Sequence, residues 1–286
     1  MQSDRSLQRH SSVVLAVTRW QAPRMNDPAA SRILPLAGVH NFRDFGGYGG
    51  ADGREVKRGW LWRSAQHGDG TPADLEQIAA LGITAVVDLR GPSEREAKPC
   101  RRASGFDPQV FVYPEETAGL ALHTEAADGV ITSAEARSAM IRLYEGIAFR
   151  PNLVPMLRCY FEVLLRAEGP SLVHCVAGKD RTGFAVALVQ HALGVGRGDI
   201  AGDYLLTNRA GNIEARIAAG GAQIRAHRGP IADDTIRVLM GVDPAYLETA
   251  FAAAEARHGS LDAYLADVIG IDAGAQERLR ATYLEA

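Results

Sequence analysis

A cysteine and an arginine with five residues between them form the part of this sequence best suited to chemistry. They lie in the stretch His174-Cys175-Val176-Ala177-Gly178-Lys179-Asp180-Arg181-Thr182-Gly183. The thiolate of a cysteine is a strong nucleophile. A planar guanidinium can bind two oxygens of one anion, and it does so best when charge spreads over them. The spacing therefore predicts that Cys175 attacks an oxyanion held by Arg181.

The residues on either side of this stretch predict the elements that position it. The apolar run Ser171-Leu172-Val173 predicts a strand, and Phe184-Ala185-Val186-Ala187-Leu188-Val189 predicts a helix. A loop that enters a helix directs unpaired backbone N–H groups at one point, where the helix dipole adds positive potential. Such a loop binds a tetrahedral oxyanion such as phosphate, and it favours the thiolate of a cysteine at its entrance.

The other loop residues suit anion binding as well. Ala177 and Gly178 leave space for the anion because their side chains are small or absent. Thr182 can donate a hydrogen bond to the sulfur when the thiolate departs as a leaving group, and His174 can orient the loop backbone. The residues predicted to bind substrate are Val176, Ala177, Gly178, Lys179 and Thr182.

With these residues in place, the stretch resembles the loop of the cysteine-dependent phosphatases, His-Cys-x5-Arg-Ser/Thr. The internal Ala-Gly-Lys-Asp-Arg-Thr-Gly is similar to bacterial tyrosine phosphatases of broad specificity, some of which also act on phosphoinositides. The resemblance covers roughly residues 33 to 284. Other stretches that carry it are Asn41-Phe42-Arg43-Asp44-Phe45-Gly46-Gly47-Tyr48, Trp62-Arg63-Ser64, Val86-Val87-Asp88-Leu89-Arg90 and Asp203-Tyr204-Leu205-Leu206-Thr207-Asn208.

The resemblance implies hydrolysis of a phosphomonoester in two steps through a cysteinyl-phosphate on Cys175, with Arg181 binding the phosphoryl group. It implies no metal and no cofactor, because loop amides and Arg181 supply the charge stabilisation. The family has an aspartate at the place of Asp180, thought to protonate the leaving oxygen. Three alternatives stay open: Asp180 braces Arg181 through an ion pair, Asp128 in a loop upstream is the acid, or no single residue is the acid.

Five further polar residues are candidates for supporting roles. Asn41, Arg43 and Asp44 precede glycines. For Asn41 and Asp44 we favour turn capping and bracing of the sheet, with shaping of the phosphate loop as the alternative. Asp88 and Arg90 lie at the carboxyl end of a predicted strand, where open α/β sheets bind ligands. They either pair with each other or support the phosphate-binding loop without contacting the bound anion.

The substrate is less well indicated than the reaction. The candidates are phosphotyrosine, which we favour, phosphoserine or phosphothreonine, and phosphoinositide. Lys179 places a positive charge in the loop that could meet a second phosphate or acidic residues near a phosphotyrosine, with a solvated charge as the alternative. Two rival functions remain: a phosphate-dependent binding module without turnover, and sulfur transfer by a rhodanese-like enzyme.

Composition limits the class of protein. The chain has 286 residues, 47% hydrophobic and 23% charged, which is typical of a soluble globular protein. A net charge of −3 argues against a general nucleic-acid binder. The chain has three cysteines, Cys100, Cys159 and Cys175, which are too few and too scattered for a disulfide framework or a zinc site. Cys159 is predicted to be a core residue. The oligomeric state is not indicated.

Residues 1–30 differ from the rest. The apolar run Ser12-Val13-Val14-Leu15-Ala16-Val17 is too short for the core of a signal peptide or for a membrane span. No other apolar stretch in the sequence approaches the length of a membrane span. We expect a disordered arm, or an upstream start with a second start at Met25. The expected location is the cytoplasm, with secretion lacking a recognisable signal peptide as the alternative.

The predicted fold is a single α/β domain over residues 31–286, with a mostly parallel sheet flanked by helices and extra helices at the C-terminus. Thr71 before Pro72 predicts a helix start, and Ile83–Leu89 and Gln109–Tyr113 predict strands. In the resembled family the last helices form a lid, for which Gly220-Gly221 and Gly229-Pro230 could be hinges. Helices are predicted at Ala134–Phe149, Pro151–Ala167, Asp199–Ala219, Ala222–His227, Asp233–Leu239, Pro244–Arg257, Leu261–Val268 and Ala275–Leu284.

Overall fold

The computed structural model describes residues 32–117, 132–214, 225 and 231–286. The predicted arm at residues 1–30, the alternative acid Asp128 and the two predicted glycine hinges lie outside the described residues.

A five-stranded sheet forms the centre of the molecule, with the order β1-β3-β6-β4-β5. Strand β1 is antiparallel to β3, and the other neighbours are parallel. The mixed α/β fold with a mostly parallel sheet is the one predicted. A separate two-stranded sheet pairs β2 with β7. The strands are β1 Arg43–Asp44, β2 Glu55–Val56, β3 Leu61–Ser64, β4 Ala85–Asp88, β5 Gln109–Val112, β6 Ser171–His174 and β7 Leu284–Glu285.

The register of the sheet gathers the polar strand ends. In β6 the last residue, His174, pairs with Ser64 of β3 on one side and with Asp88 of β4 on the other. All four residues of β4 and of β6 are buried, which explains their apolar runs. Because parallel strands end at the same edge, the loop after His174 starts beside the ends of β3 and β4.

Helices cover the sheet and extend beyond it. They are α1 Pro72–Ala79, α2 Pro92–Ala97, α3 Ser133–Ile147, α4 Val154–Arg166, α5 Asp180–Ala192, α6 Arg197–Leu205, α7 Thr207–Ala210, α8 Asp233–Met240, α9 Pro244–His258, α10 Leu261–Tyr264 and α11 Ala273–Tyr283. A 3-10 turn at Ala51–Gly53 and a π turn at Leu265–Ile269 complete the described elements.

Capping residues mark several helix starts where the sequence predicts them. Thr71 forms a capping box with Asp74 at the start of α1, with Pro72 as first helical residue. Asp243 and Ser260 accept backbone hydrogen bonds at the starts of α9 and α10.

Three features differ from the prediction. The helix expected from residue 199 is broken at Leu206, whose N–H is shared between the carbonyls of Gly202 and Asp203, and its predicted end lies outside the described residues. Helix α2 and the pairing of β2 with β7 were not predicted, because elements of six and two residues carry no periodic signal.

The main hydrophobic cluster packs the sheet against helices α3, α4, α5, α9 and α11, and a smaller cluster packs the sheet against α1. Helix α5 is buried at ten positions from Thr182 to Ala192, so it passes through the centre of the domain. Cys159 on α4 is half-buried, which corrects its prediction as a core residue. Among the described residues, no helix combines the length and the apolar character that crossing a lipid bilayer requires.

Candidate active site

The loop between β6 and α5 has the properties of an anion site. Cys175, at its entrance, is 3% exposed. None of the backbone N–H groups of residues 176–182 donates a hydrogen bond to another described residue. Gly178 has φ +61°, and a Cβ there would lie 2.3 Å from the backbone oxygen of Ser64. Only glycine therefore fits this position, and the loop keeps a row of free donors next to the thiol.

Two side chains hold the loop carbonyls. The Asn41 amide donates to the carbonyl oxygens of Gly178 at 2.7 Å and Ala177 at 3.2 Å, and the Arg63 guanidinium donates to Gly178 at 3.0 Å. Because the C=O and N–H of a planar trans peptide point in opposite directions, fixing these oxygens fixes the next two N–H groups as well. Asn41 thus contacts the phosphate loop, and turn capping, the interpretation favoured from the sequence, is wrong for this residue.

A buried ion cluster anchors Asn41 and Arg63. Asp203 on α6 accepts from Arg43 at 3.1 Å and from Arg63 at 2.7 Å, and Arg43 also donates to the side-chain oxygen of Asn41. Burial alone would raise the pKa of Asp203, but the two arginines bring it below its ordinary value. Arg43, predicted as a supporting residue, therefore acts on the loop through Asn41.

Asp44, the neighbour of Arg43, has a different environment. Its carboxylate accepts from the backbone N–H groups of Gly46 at 2.8 Å and Gly59 at 2.7 Å. Burial raises the pKa of Asp44, although those hydrogen bonds oppose the shift. No hydrogen bond joins it to the loop among the described residues. Asp44 therefore braces the turn between β1 and β3, which is the interpretation favoured from the sequence.

A carboxylate from α2 holds Arg181. The two terminal nitrogens of Arg181 donate to Glu94 at 2.6 and 2.7 Å, and one of them also donates to Thr117 at 3.0 Å and to the backbone of Leu89 at 3.1 Å. Burial alone would raise the pKa of Glu94, but the bonds from Arg181 lower it. The ion pair between Asp180 and Arg181, which the sequence left open as an alternative to the acid role, is not formed among the described residues. Glu94 takes that place, and the Nε of Arg181 has no described partner.

Asp180 is held from the other side. The hydroxyl of Tyr144 on α3 donates to its Oδ1 at 2.8 Å, and the hydroxyl of Tyr204 donates to that of Tyr144 at 2.7 Å. Burial, followed by the charge of Asp180, raises the pKa of Tyr144 well above its ordinary value. The side chain of Asp180 is 28% exposed, and Oδ2 accepts no hydrogen bond from a described residue. One carboxylate oxygen is therefore fixed and the other is available.

Lys179 does not extend into solvent. It is 5% exposed, and its ammonium donates to the carbonyl oxygen of Leu239 on α8 at 2.6 Å, with Oδ1 of Asp180 at 3.5 Å. Its interpretation as a solvated charge is therefore wrong. Thr182 is fully buried, and its hydroxyl has no hydrogen-bond partner among the described residues. The expected bond from Thr182 to the sulfur is not formed in this structure.

Asp88 and Arg90 satisfy both interpretations offered for them. The guanidinium of Arg90 donates hydrogen bonds to both carboxylate oxygens of Asp88, at 2.9 and 2.8 Å. Asp88 also lies 3.7 Å from Nδ1 of His174, the residue before Cys175. Burial alone would lower the pKa of His174, but the charge of Asp88 raises it. The pair thus supports the base of the loop through His174.

The residues of the site that were not predicted include Glu94, Tyr144, Arg63, Asp203 and Thr117. Glu94 carried a usable signal, because Pro92-Ser93-Glu94 begins a helix just after the end of a buried strand, where ligands are expected. Arg63 and Asp203 lie in stretches that carry the family resemblance. Tyr144 lies in an amphipathic helix with nothing to distinguish it from a core aromatic residue.

Comparison with known proteins identifies the family to which this site belongs. The profile described as the tyrosine phosphatase family matches residues 34–285. The chain belongs to this family. It is accordingly a phosphatase, and membership argues against the alternative of sulfur transfer.

Two relatives match over most of their length. A Cupriavidus necator protein named as a candidate tyrosine-protein phosphatase is 32% identical, over 92% of this chain and 93% of its own. The triple specificity protein phosphatase PtpB of Mycobacterium tuberculosis is 30% identical, over 88% of this chain and 99% of its own. A tyrosine-protein phosphatase of Nostoc commune is 28% identical over 51% of this chain and 47% of its own.

Proposed function

We propose that this tyrosine phosphatase family member hydrolyses phosphomonoesters through a cysteinyl-phosphate on Cys175. The observation that carries the proposal is the loop itself. Its N–H groups are free of described partners, its carbonyls are held by Asn41 and Arg63, and Arg181 is fixed by Glu94. A phosphoryl group bound there gains charge stabilisation from donors that need not reorganise during the reaction.

The first step forms one bond and breaks one. The Cys175 thiolate attacks phosphorus, the S–P bond forms, and the bond from phosphorus to the ester oxygen breaks. The electron pair leaves with that oxygen, which takes a proton from Asp180 as the alcohol or phenol departs. The free Oδ2 of Asp180 is suited to carry this proton, because Tyr144 holds only Oδ1.

The second step restores the enzyme. A water oxygen attacks phosphorus, the S–P bond breaks, and inorganic phosphate leaves with the thiolate regenerated. Asp180, now ionised, takes the proton of the attacking water and is ready for the next turnover. No metal is needed in this scheme, since loop amides and Arg181 stabilise the charge on the phosphoryl oxygens.

The substrate we propose is phosphotyrosine, with phosphoinositide as the alternative. Arg150, in the turn between α3 and α4, is half-buried and pairs with no acidic side chain among the described residues. Burial lowers its pKa, as does repulsion from Arg181, while Asp180 opposes the shift. A cation so placed supports substrates with acidic groups around the phosphate. The name of the Mycobacterium tuberculosis relative, triple specificity, supports testing more than one class.

Replacement of the nucleophile tests the chemistry. Cys175→Ser should abolish hydrolysis of a small aryl phosphate while the folded protein still binds inorganic phosphate. Activity within about tenfold of the wild type, roughly 1.4 kcal/mol of barrier, would show that Cys175 is not the nucleophile. Arg181→Lys should be nearly as severe, because an ammonium cannot bind two oxygens in one plane. A wild-type protein that binds phosphate without turnover would be a binding module instead.

A panel of phosphotyrosine peptides, phosphoserine peptides and phosphoinositides tests the substrate. Arg150→Ala and Lys179→Ala should each slow phosphoinositide hydrolysis more than hydrolysis of a small aryl phosphate. Arg142→Ala is the matched control, because Arg142 is exposed on α3 and forms no described ion pair. If both variants slow all substrates equally, neither cation recognises a second anionic group.

A further inference from the structure

A second cysteine lies among hydrogen-bond donors behind the phosphate loop. The sulfur of Cys100 accepts from the guanidinium of Arg90 at 3.2 Å and from the backbone N–H of His67 at 3.4 Å. Nε2 of His174 lies 4.0 Å from the same sulfur. A neutral thiol accepts hydrogen bonds weakly, so a sulfur that accepts from two donors and lies beside an imidazole nitrogen is in an environment suited to an anion.

The charges of the residues around Cys100 also favour the thiolate over the thiol. Arg90 is a buried cation, and the pKa of its neighbour His174 is raised by Asp88 against the effect of burial. Among the described residues, Asp88 is the one carboxylate that faces both, and the charge of Glu94 adds a weaker attraction at Arg90. The ring of His67 stacks on that of His174 with centroids 5.2 Å apart, and its pKa lies well below the ordinary value because of burial and the charge of His174. A neutral His67 adds no charge.

The buried groups therefore carry two positive charges against one negative charge when His174 is protonated. A buried uncompensated charge is costly, and a thiolate at Cys100 would balance it. Burial alone would raise the pKa of Cys100, yet the hydrogen bond and the charge of His174 bring it below its ordinary value. Arg102, which is exposed nearby, adds to the positive potential.

A metal ion does not explain this cluster, although Asp88, Cys100 and His174 each place a ligand atom within 4.8 Å of the others. Both carboxylate oxygens of Asp88 already accept from Arg90. His174 faces Asp88 with Nδ1 and Cys100 with Nε2, so the two contacts lie on different sides of the ring. A cation added there would also meet the charge of Arg90.

We propose that Cys100 is a second thiolate of this protein and forms mixed disulfides with small disulfides. The thiolate attacks one sulfur of the disulfide, a bond forms between it and Sγ of Cys100, the original S–S bond breaks, and the other half leaves as a thiolate. No proton or external oxidant is needed. Cys100 is half-buried rather than enclosed, and exposed Arg101 and Arg102 favour a disulfide that carries carboxylates, such as oxidised glutathione.

Cys159 is a control within the same chain. It is also half-buried, but burial and the charge of Glu162 raise its pKa, and no hydrogen-bond donor to its sulfur is described. Both cysteines are half-buried, but their electrostatic surroundings shift the pKa of their thiols in opposite directions. Any difference in their rates of reaction reports on the cluster around Cys100.

The test uses the full-length Cys175→Ser protein, so that the loop thiol does not contribute. It is incubated with oxidised glutathione at about pH 6.5, where an ordinary thiol is almost fully protonated, and modified peptides are quantified by mass spectrometry. Cys100 should be modified at least about tenfold faster than Cys159. A further Cys100→Ala substitution should remove the fast reaction, and Cys159→Ala should leave it unchanged.

Two results would overturn the proposal. One is equal rates at Cys100 and Cys159. The other is a rate at Cys100 that rises with pH as an ordinary thiol does, around pH 8.5, as given for free cysteine. Circular dichroism on each variant establishes that the fold is kept. The rates are measured without any phosphatase substrate, so this test is independent of the proposed function.

Discussion

The side-chain amide of Asn41 lies 2.7 Å from the carbonyl oxygen of Gly178, 137 residues away in the chain. Asn41 itself has φ 59°, a left-handed conformation that asparagine tolerates better than most residues. The contact joins the start of the sheet to the phosphate loop. The loop therefore owes its shape to the N-terminal part of the domain as well as to its own glycine.

Asn41→Ala should weaken catalysis because the carbonyls of Ala177 and Gly178 lose their donor and the loop can turn its N–H groups away. A lost buried hydrogen bond of this kind costs about 1 to 3 kcal/mol, so kcat/KM for an aryl phosphate should fall roughly ten- to hundredfold. Asp44→Asn is the matched comparison, since Asp44 braces a turn and should change the free energy of unfolding more than kcat. Equal activity in Asn41→Ala and wild type would contradict the role of Asn41.

Arg181 and Glu94 should behave as one unit. Glu94→Gln removes the charge that holds the guanidinium, and kcat/KM should fall about tenfold or more. The same substitution in Arg181→Lys protein should have a much smaller effect, because the group that Glu94 positions is already gone. The measurement is a double-mutant cycle on kcat/KM. Additive effects would show that Glu94 acts independently of Arg181.

The catalytic loop could be predicted from sequence because its contacts are local. Cys175, Arg181 and the strand and helix around them lie between Ser171 and Ala192, and each element carries its own periodic or capping signal. The predicted and observed helix starts at Thr71 and Asp243 agree for the same reason.

The rest of the site depends on contacts between distant segments. Glu94 is 87 residues from Arg181, and Tyr144 is 36 residues from Asp180. No property of a single chain segment distinguishes a tyrosine that donates to the carboxylate of Asp180 from one in the core. Lys179 is a similar case: its sequence left a solvated charge open as an alternative, because the carbonyl of Leu239 that accepts from its ammonium lies 60 residues downstream.

Asp203 should be important for stability. Asp203→Asn leaves Arg43 and Arg63 buried with less negative charge between them, and the free energy of unfolding should fall by about 3 to 5 kcal/mol in urea denaturation at neutral pH. His191 and Asp262 form a comparison pair, since the carboxylate is 63% exposed. Asp262→Asn should cost less than about 1 kcal/mol. Similar losses in both variants would contradict the importance of the buried cluster.

The same cluster predicts a dependence of stability on pH. The pKa of Asp203 is lower in the folded protein than in the unfolded chain, so its contribution is fully present above the unfolded value, about 3.9. It is lost as the pH falls through the lower, folded value. As the pH falls below about 4, the free energy of unfolding of the wild type should therefore decrease more steeply than that of Asp203→Asn. Parallel curves for the two proteins would show that Asp203 does not change its pKa on folding.

The role of Asp180 can be tested by the leaving group. A general acid matters most when the leaving oxygen is basic. Asp180→Asn should therefore slow a tyrosyl or alkyl phosphate far more than an activated nitrophenyl phosphate, and the basic limb of the pH–rate profile should disappear. If both substrates slow equally and the profile keeps its shape, Asp180 is structural, and Asp128→Asn becomes the variant to measure.

Tyr144→Phe extends that test to the residue that positions Asp180. It removes the hydroxyl that donates to Oδ1, so the carboxyl group should be less well placed toward the leaving oxygen. We expect a loss of about tenfold, again larger for the basic leaving group, and little further loss when the substitution is made in Asp180→Asn. Tyr264→Phe is the matched control, because it removes a buried hydroxyl that donates to the backbone of Ala148. That variant should lower stability without changing the dependence on leaving group, and the same dependence in Tyr144→Phe and Tyr264→Phe would contradict a positioning role for Tyr144.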